Sequence, residues 1–148
     1  MADGLAQVGI KGAFDGALRY VPFAALLSSR GDSGTVVMPA AKAKLLTSHD
    51  GRFTSRALFP FDEPRRVEFY ELKLAPHAVE QADPHPPGTV ENLIVTAGKL
   101  LLHVGTGSSA KQYELAKGDA IVFTADVPHA YVNPAKAECW MYLVMTYA

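Results

Sequence analysis

From Thr35 to Ala148 the chain consists of short segments rich in β-branched and aromatic residues, separated by Gly, Pro, Asp and Asn. These breaks recur about every ten residues, which is typical of a β-sandwich or a barrel, and helical periodicity does not return. We predict about eight or nine strands, with hairpin turns at Asp50-Gly51 and at Thr96 to Lys99. So many strands bury their apolar faces only by forming two layers or by closing on themselves. The sequence therefore predicts an all-β jelly roll.

A helical pattern is found only near the start of the chain, where apolar residues recur at spacings of three and four. They are Phe14, Ala17, Leu18, Val21, Ala24, Ala25 and Leu26. Because Gly16 and Pro22 interrupt the pattern, one kinked helix and two short helices are equally compatible with it. A run of turn-forming residues, Ser28 to Gly34, follows. We expect a short N-terminal helical segment over residues 1–29 and a β domain over residues 30–148.

Composition narrows the classes of protein that this chain can belong to. Its 148 residues correspond to about one domain. Lys and Arg number 14 and Asp and Glu number 15, so there is no excess of positive charge to bind nucleic acid. Cys139 is the only cysteine, which fits a reducing, cytoplasmic environment. The longest apolar runs have seven residues, against about 20 for a membrane-spanning helix, so we expect no membrane partner.

Two predicted strands alternate in an unusual way, because polar side chains share a face with apolar ones. On the first strand these residues are Glu91, Leu93 and Val95, and on the second they are His129, Tyr131 and Asn133. Polar side chains on the inward, apolar face of a strand indicate a cavity that these side chains line.

A candidate metal or ligand site follows from the histidines. His85 lies in a proline-rich loop six positions before Glu91, and His129 follows Pro128 at the start of another strand. Two imidazoles and one carboxylate are a ligand set suited to a divalent transition metal with open positions. Spacing alone leaves open whether the three side chains meet. They also have purely structural interpretations, as a loop histidine bonded to backbone or a carboxylate at the solvent end of a strand.

Two stretches of the chain carry a family resemblance. HPPGTVENLIVTAGKLLLHVG resembles the first cupin motif, in which six residues separate Glu91 from Gly98. KGDAIVFTADVPHAYVN resembles the second, with Gly118, Pro128, His129 and, after three residues, Asn133. More narrowly, the pattern is similar to the ligand-sensing cupin domain of XRE-type helix-turn-helix transcriptional regulators, with a motif core over residues 67–146. The resemblance implies a double-stranded β-helix, a small-molecule effector and a homodimer.

The resemblance also indicates how a metal would be held. Metal-binding cupins typically supply HxH, a glutamate and a second-motif histidine, which align here with His85, Pro87, Glu91 and His129. Proline has no side-chain donor, so a metal such as Zn, Fe, Mn or Ni is held by three protein groups plus water, or no metal is bound.

The segment Ala17 to Ser29 is similar to the last helix of the DNA-binding domain of such regulators, but the recognition helix is missing. We therefore expect no DNA binding from this chain alone. On this comparison the chain is expected to be a fragment, a truncated product or a stand-alone descendant.

The preferred hypothesis is a small-molecule sensor domain whose pocket is lined by His85, Glu91, His129 and Tyr131. This interpretation assigns no catalytic residue and favours a non-enzymatic role. The alternative is a metal-dependent cupin enzyme, an isomerase or dioxygenase, acting on a small metabolite. A structural dimerisation module with a filled barrel is a third interpretation.

Overall fold

A computed structural model describes residues 37–59 and 66–148 of the chain. The predicted helical segment over residues 1–29 and the predicted boundary at residue 30 lie outside the described residues. Within them the only helices are two short 3-10 turns, Ala40–Lys42 and Gly107–Ser109, and the rest of the regular structure is β. No helix in this part of the chain is long and apolar enough to cross a membrane.

Ten strands form two antiparallel sheets, so the predicted all-β jelly roll is confirmed. The described strands are β1 (Leu45–Thr47), β2 (Phe53–Ala57), β3 (Val67–Leu74), β4 (Val79–Ala82), β5 (Val90–Ala97), β6 (Lys99–Val104), β7 (Lys111–Ala116), β8 (Ala120–Thr124), β9 (His129–Val132) and β10 (Cys139–Thr146). The first sheet has the order β1-β2-β3-β10-β5-β8 and the second the order β4-β9-β6-β7.

Strand β10 lies in the middle of the first sheet. It pairs with β3 from Cys139↔Leu74 to Thr146↔Val67, and it pairs with β5 along its other edge. Apolar residues on both of its faces predict a central or inter-layer strand, and the pairing shows that it is central. Its inward face is fully buried, whereas Tyr142 on the outward face is 43% exposed.

The core lies between the two sheets and consists of the inward side chains of alternating strand positions. The largest fully buried apolar ones are Leu72, Leu74, Leu93, Val95, Leu100, Leu102, Met141 and Met145. Burial of each such side chain stabilises the fold by about 1.5–3 kcal/mol. The same alternation positions the polar residues of the site, because they lie on these inward faces.

The two predicted hairpin turns differ in how they use glycine. An Asp-Gly pair in a hairpin turn predicts a positive φ at both residues, but at the first turn only Gly51 has one (71°), so this prediction is wrong for Asp50. The Asp50 carboxylate instead accepts hydrogen bonds from Ser48 Oγ at 2.6 Å and from the Arg52 amide at 3.0 Å. At the second turn Gly98 has φ 79°, and a Cβ there would collide with the carbonyl oxygen of Glu138.

Candidate ligand and metal site

Three polar side chains meet inside the barrel: His85, Glu91 and His129. One ligand atom from each lies within 4.8 Å of the others. Their side chains are at most 2% exposed. His85 comes from the loop between β4 and β5, Glu91 from β5 in the first sheet, and His129 from β9 in the second. The structure therefore brings together residues that the sequence placed on a loop and two separate strands.

The strand alternation explains the positions of Glu91 and His129. Leu93 and Val95 follow Glu91 on the same inward face of β5, and all three are at most 1% exposed. His129 and Tyr131 likewise occupy the inward face of β9. The two strands belong to opposite sheets, so their inward side chains face each other across the core.

A tight turn positions His85. The backbone amide of Thr89 donates to the Pro86 carbonyl at 3.1 Å, with Pro87 and Gly88 (φ 83°) between them. Proline followed by a glycine of positive φ is the residue pattern of a type II turn. Pro87 is exposed. At the position where metal-binding cupins carry a second histidine, this chain therefore has a turn former that contributes no donor to the site.

The Glu91 carboxylate is the centre of the hydrogen-bond network. Its Oε1 lies 3.0 Å from His85 Nε2 and 3.4 Å from His129 Nε2. Its Oε2 accepts a hydrogen bond from the hydroxyl of Tyr131. The ring of Phe123 packs edge-on against the imidazole of His129 at 5.3 Å between centroids. A buried carboxylate is costly without partners, and here it has hydrogen bonds with His85 and Tyr131 and the imidazole of His129 at ion-pair distance.

This network determines the charge of each group. Burial alone would raise the pKa of Glu91, but His129, His85 and the Tyr131 hydroxyl outweigh burial and lower it to about 2. Burial would lower the pKa of His129, but the adjacent Glu91 carboxylate more than compensates, so this pKa is raised. Burial, followed by the charge of Glu91, raises the pKa of Tyr131 well above its ordinary value. Glu91 is therefore an anion and Tyr131 a neutral donor at neutral pH.

The geometry of His129 fits a metal ligand. Its Nδ1 donates to the carbonyl of Val127 at 2.8 Å. In the neutral ring this leaves the lone pair on Nε2, which is buried and lies 3.4 Å from Glu91 Oε1 without forming a hydrogen bond among the described residues. A backbone carbonyl that fixes the other ring nitrogen is the usual support of a histidine ligand. Together with His85 and Glu91, the donor set suits a divalent transition metal.

A small enclosed cavity adjoins this cluster. Its volume is about 10 Å³, and it is bordered by His85, Glu91, Tyr131, Glu80 and apolar side chains of the first sheet. That volume holds about one water molecule. The lined cavity that the sequence indicates is therefore narrow, because Phe53, Leu72, Leu143 and Met145 occupy most of the space around it.

Glu80 is a site residue that the sequence analysis missed. It lies on β4, directly opposite Tyr131 of β9, and is only 6% exposed. Its Oε1 is buried and has no hydrogen-bond partner among the described residues. Burial, with a smaller effect of the Asp50 charge, raises the pKa of Glu80 to about 7. The only signal in the sequence is alternation within the short segment VEQA, and there the apolar Val79 is outward and 53% exposed.

Asn133 has a structural position. Its amide donates to the carbonyls of Leu74, Ala75 and Ala137, and it thereby fixes loops rather than a ligand. Burial raises the pKa of the Cys139 thiol to about 11, as expected for an inert core cysteine.

Comparison with known proteins agrees with the fold. The family model of the cupin domain matches residues 70–145. This chain belongs to the cupin family. The HTH-type transcriptional regulator SutR of Escherichia coli (strain K12) is 30% identical over 114 residues, which make up 76% of this cupin and 57% of SutR. The cupin thus spans little more than half of that relative.

Solved structures give the same assignment. The cupin domain of an XRE-family transcriptional regulator from Enterobacter cloacae is 26% identical, with a TM-score of 0.58 over 66% of this chain and 98% of that one. Hydroxypropylphosphonic acid epoxidase from S. wedmorenis is 14% identical, with a TM-score of 0.62 over 78% of this chain and 61% of that one. The second likeness shows the fold alone. The cupin is therefore related to a regulator domain and shares its fold with an enzyme.

Proposed function

We propose that this cupin is the ligand-sensing domain of an XRE-type transcriptional regulator in the cytoplasm, with a small-molecule effector bound inside the barrel. The observation that carries the proposal is the buried polar cluster of His85, Glu91, His129 and Tyr131 beside an enclosed cavity. A few convergent polar groups in an apolar enclosure are typical of a ligand site. The relationship to SutR and to the Enterobacter cloacae domain supports the regulatory context.

The size of the cavity suits a sensor. A volume of about 10 Å³ admits only one water-sized group, so an organic effector enters only if the barrel widens. Binding then favours a widened state over the closed one, and such a difference in affinity is what allows a ligand to shift a conformational equilibrium. In this proposal the DNA is bound by a helix-turn-helix domain and not by residues of this chain.

A thermal-shift screen of small metabolites on the purified chain tests the proposal. We expect at least one compound to raise the melting temperature of the wild type and of the control His77→Ala, whose histidine is exposed on a loop. The same compound should have little effect on Tyr131→Phe, which removes the hydroxyl next to Glu91 and keeps the ring. An effect that persists in Tyr131→Phe, or a screen without any hit, would contradict effector binding in the barrel.

We also propose a homodimer, as the resemblance implies. The outward face of the first sheet exposes large apolar side chains: Val67, Phe69, Ile94, Val122 and Tyr142. Their register places Tyr142 beside Ile94, and Val122 beside Asn92 of the same sheet. Clustered apolar residues on a surface are typical of an interaction site. Sedimentation velocity should show a dimer, and Val122→Glu should shift it towards the monomer.

A metal-dependent enzyme is the second candidate, favoured by the three buried donors within 4.8 Å. The metal would be held by His85, Glu91 and His129, and it would supply Lewis-acid or redox chemistry to a bound substrate. Tyr131 would hold and orient the Glu91 carboxylate through its hydrogen bond.

Elemental mass spectrometry on protein purified without chelator or histidine tag distinguishes the two candidates. One metal per chain that is lost in His129→Ala would favour the enzyme. Less than about a tenth of an equivalent would favour the metal-free sensor.

A further inference from the structure

The barrel contains a second buried carboxylate that the proposed function does not use. Glu80 lies on the inward face of β4 and borders the same cavity as His85, Glu91 and Tyr131. It is 6% exposed, and its Oε1 has no hydrogen-bond partner among residues 37–59 and 66–148. An acceptor of this kind inside a barrel is unusual, because buried polar groups are normally satisfied.

Glu91 and Glu80 differ in what surrounds them. The Glu91 carboxylate has two imidazoles and a hydroxyl as partners, so the negative charge on this side of the cavity is compensated. No described cation forms an ion pair with Glu80, and its cross-strand neighbour Tyr131 directs its own hydroxyl to Glu91. The cavity therefore has one acceptor that the protein leaves open. A hydrogen-bond donor supplied by a ligand, above all a cationic donor, therefore gains the most binding free energy at Glu80.

The space beside Glu80 limits the size of that donor. The cavity of about 10 Å³ suits a group as small as a water molecule, which an ammonium head group resembles in size. The rest of its border is apolar, which favours an apolar substituent, and consists of Phe53, Leu72, Ala82, Leu143 and Met145. Carboxylate ligands are disfavoured, because they would place a second anion next to Glu80.

We propose that Glu80 is the specificity-determining residue of the barrel, and that it selects effectors carrying a protonated primary amine on an apolar body. This inference rests on the proposed function, since it specifies the class of effector for the same cavity. Glu80 contacts the ammonium group, while His85, Glu91 and Tyr131 form the other polar part of the cavity border.

The test compares three probes of nearly equal shape on the chelator-treated full chain at constant ionic strength: n-butylammonium, 1-butanol and butyrate. Calorimetry or ligand-observed NMR gives their dissociation constants for the wild type, for Glu80→Gln and for a matched control, Glu114→Gln, which alters an exposed carboxylate on β7. We expect n-butylammonium to bind the wild type and the control at least tenfold more tightly than the other probes. Glu80→Gln should lose this preference.

Several results would overturn the inference. They are equal binding of the three probes, a preference for butyrate or 1-butanol, an amine preference that survives in Glu80→Gln, or no binding of any probe. A preference for a non-amine probe would leave effector binding intact, and only the failure of the broader metabolite screen would remove the proposed function. If Glu80→Gln does not fold, the Glu80 carboxyl carbon in ¹³C-labelled wild-type protein should shift on addition of n-butylammonium, and an unchanged resonance counts against the proposal.

Discussion

Replacement of Glu80 by Gln should stabilise the cupin, and the gain should increase with pH. Burial raises the pKa of Glu80 from 4.5 to about 7. Because the pKa is higher in the folded state, the unfolded chain loses this proton first. The free-energy cost of holding an ionised Glu80 in the folded state is therefore absent below about pH 4.5. It grows as the pH rises and is complete above about pH 7. At about 1.4 kcal/mol for each pKa unit, the ionised carboxylate destabilises the fold by at most about 3.5 kcal/mol.

Thermal unfolding of the wild type and Glu80→Gln from pH 5 to pH 8 measures this effect. For a domain of this size, 1 kcal/mol corresponds to about 2–4 °C in melting temperature, so Glu80→Gln should melt up to about 7–14 °C higher at pH 8. At pH 5 the penalty is only about 1 kcal/mol, and the two melting temperatures should differ by only about 2–4 °C. Glu114→Gln, at an exposed position, should show no pH-dependent gain. A Glu80→Gln variant that is no more stable at pH 8, or equally stabilised at both pH values, would refute the reasoning.

Three further predictions follow from other contacts. Glu91→Gln should destabilise the fold by about 3 kcal/mol at pH 7 in urea unfolding. The ionised Glu91 stabilises the wild type above about pH 4.5, and this stability is lost as the pH falls to about 2, because the pKa of Glu91 is lowered in the folded state. Glu91→Gln should not show this loss. Gly98→Ala should lower the melting temperature far more than Gly51→Ala, because both glycines have positive φ but only Gly98 lies against backbone, at Glu138. Cys139 should react with a thiol reagent at pH 8 at least about tenfold more slowly in the native than in the urea-unfolded protein, because its thiol is buried with a raised pKa; equal rates would contradict this.

Much of the architecture could be predicted because a strand exposes its two faces at a period of two residues. Glu91 shares parity with Leu93 and Val95, and His129 shares parity with Tyr131, so the inward direction of these polar groups was readable from the sequence. The distance between Glu91 and His129 could not be predicted from the sequence, because it depends on how the two sheets pack against each other. Cupin motif resemblance, and not spacing, indicated that residues 38 positions apart belong to one site.

Glu80 was missed for a physical reason. Strand β4 has four residues, and its sequence VEQA contains one apolar residue of high strand propensity, Val79. Alternation with the usual polarity would turn Val79 inward and Glu80 to solvent, which is the reverse of the structure. Pairing with β9 imposes the observed register, because Glu80 lies opposite Tyr131 and Ala82 opposite His129. Sequence patterns fail at positions where a polar residue is buried or an apolar residue is exposed, and functional groups are often found at such positions.

The central position of β10 has a consequence for biosynthesis. This strand is made last among the described strands, yet it joins β3 to β5. During translation the first sheet therefore exists as two separate ribbons, each with an uncovered strand edge, until residues 139–146 have left the ribosome. Open edges of this kind pair readily with other chains. The nascent protein is thus most vulnerable to aggregation while β10 is not yet paired, and a chaperone that holds these edges apart during synthesis would raise the yield more than one that acts after β10 has paired.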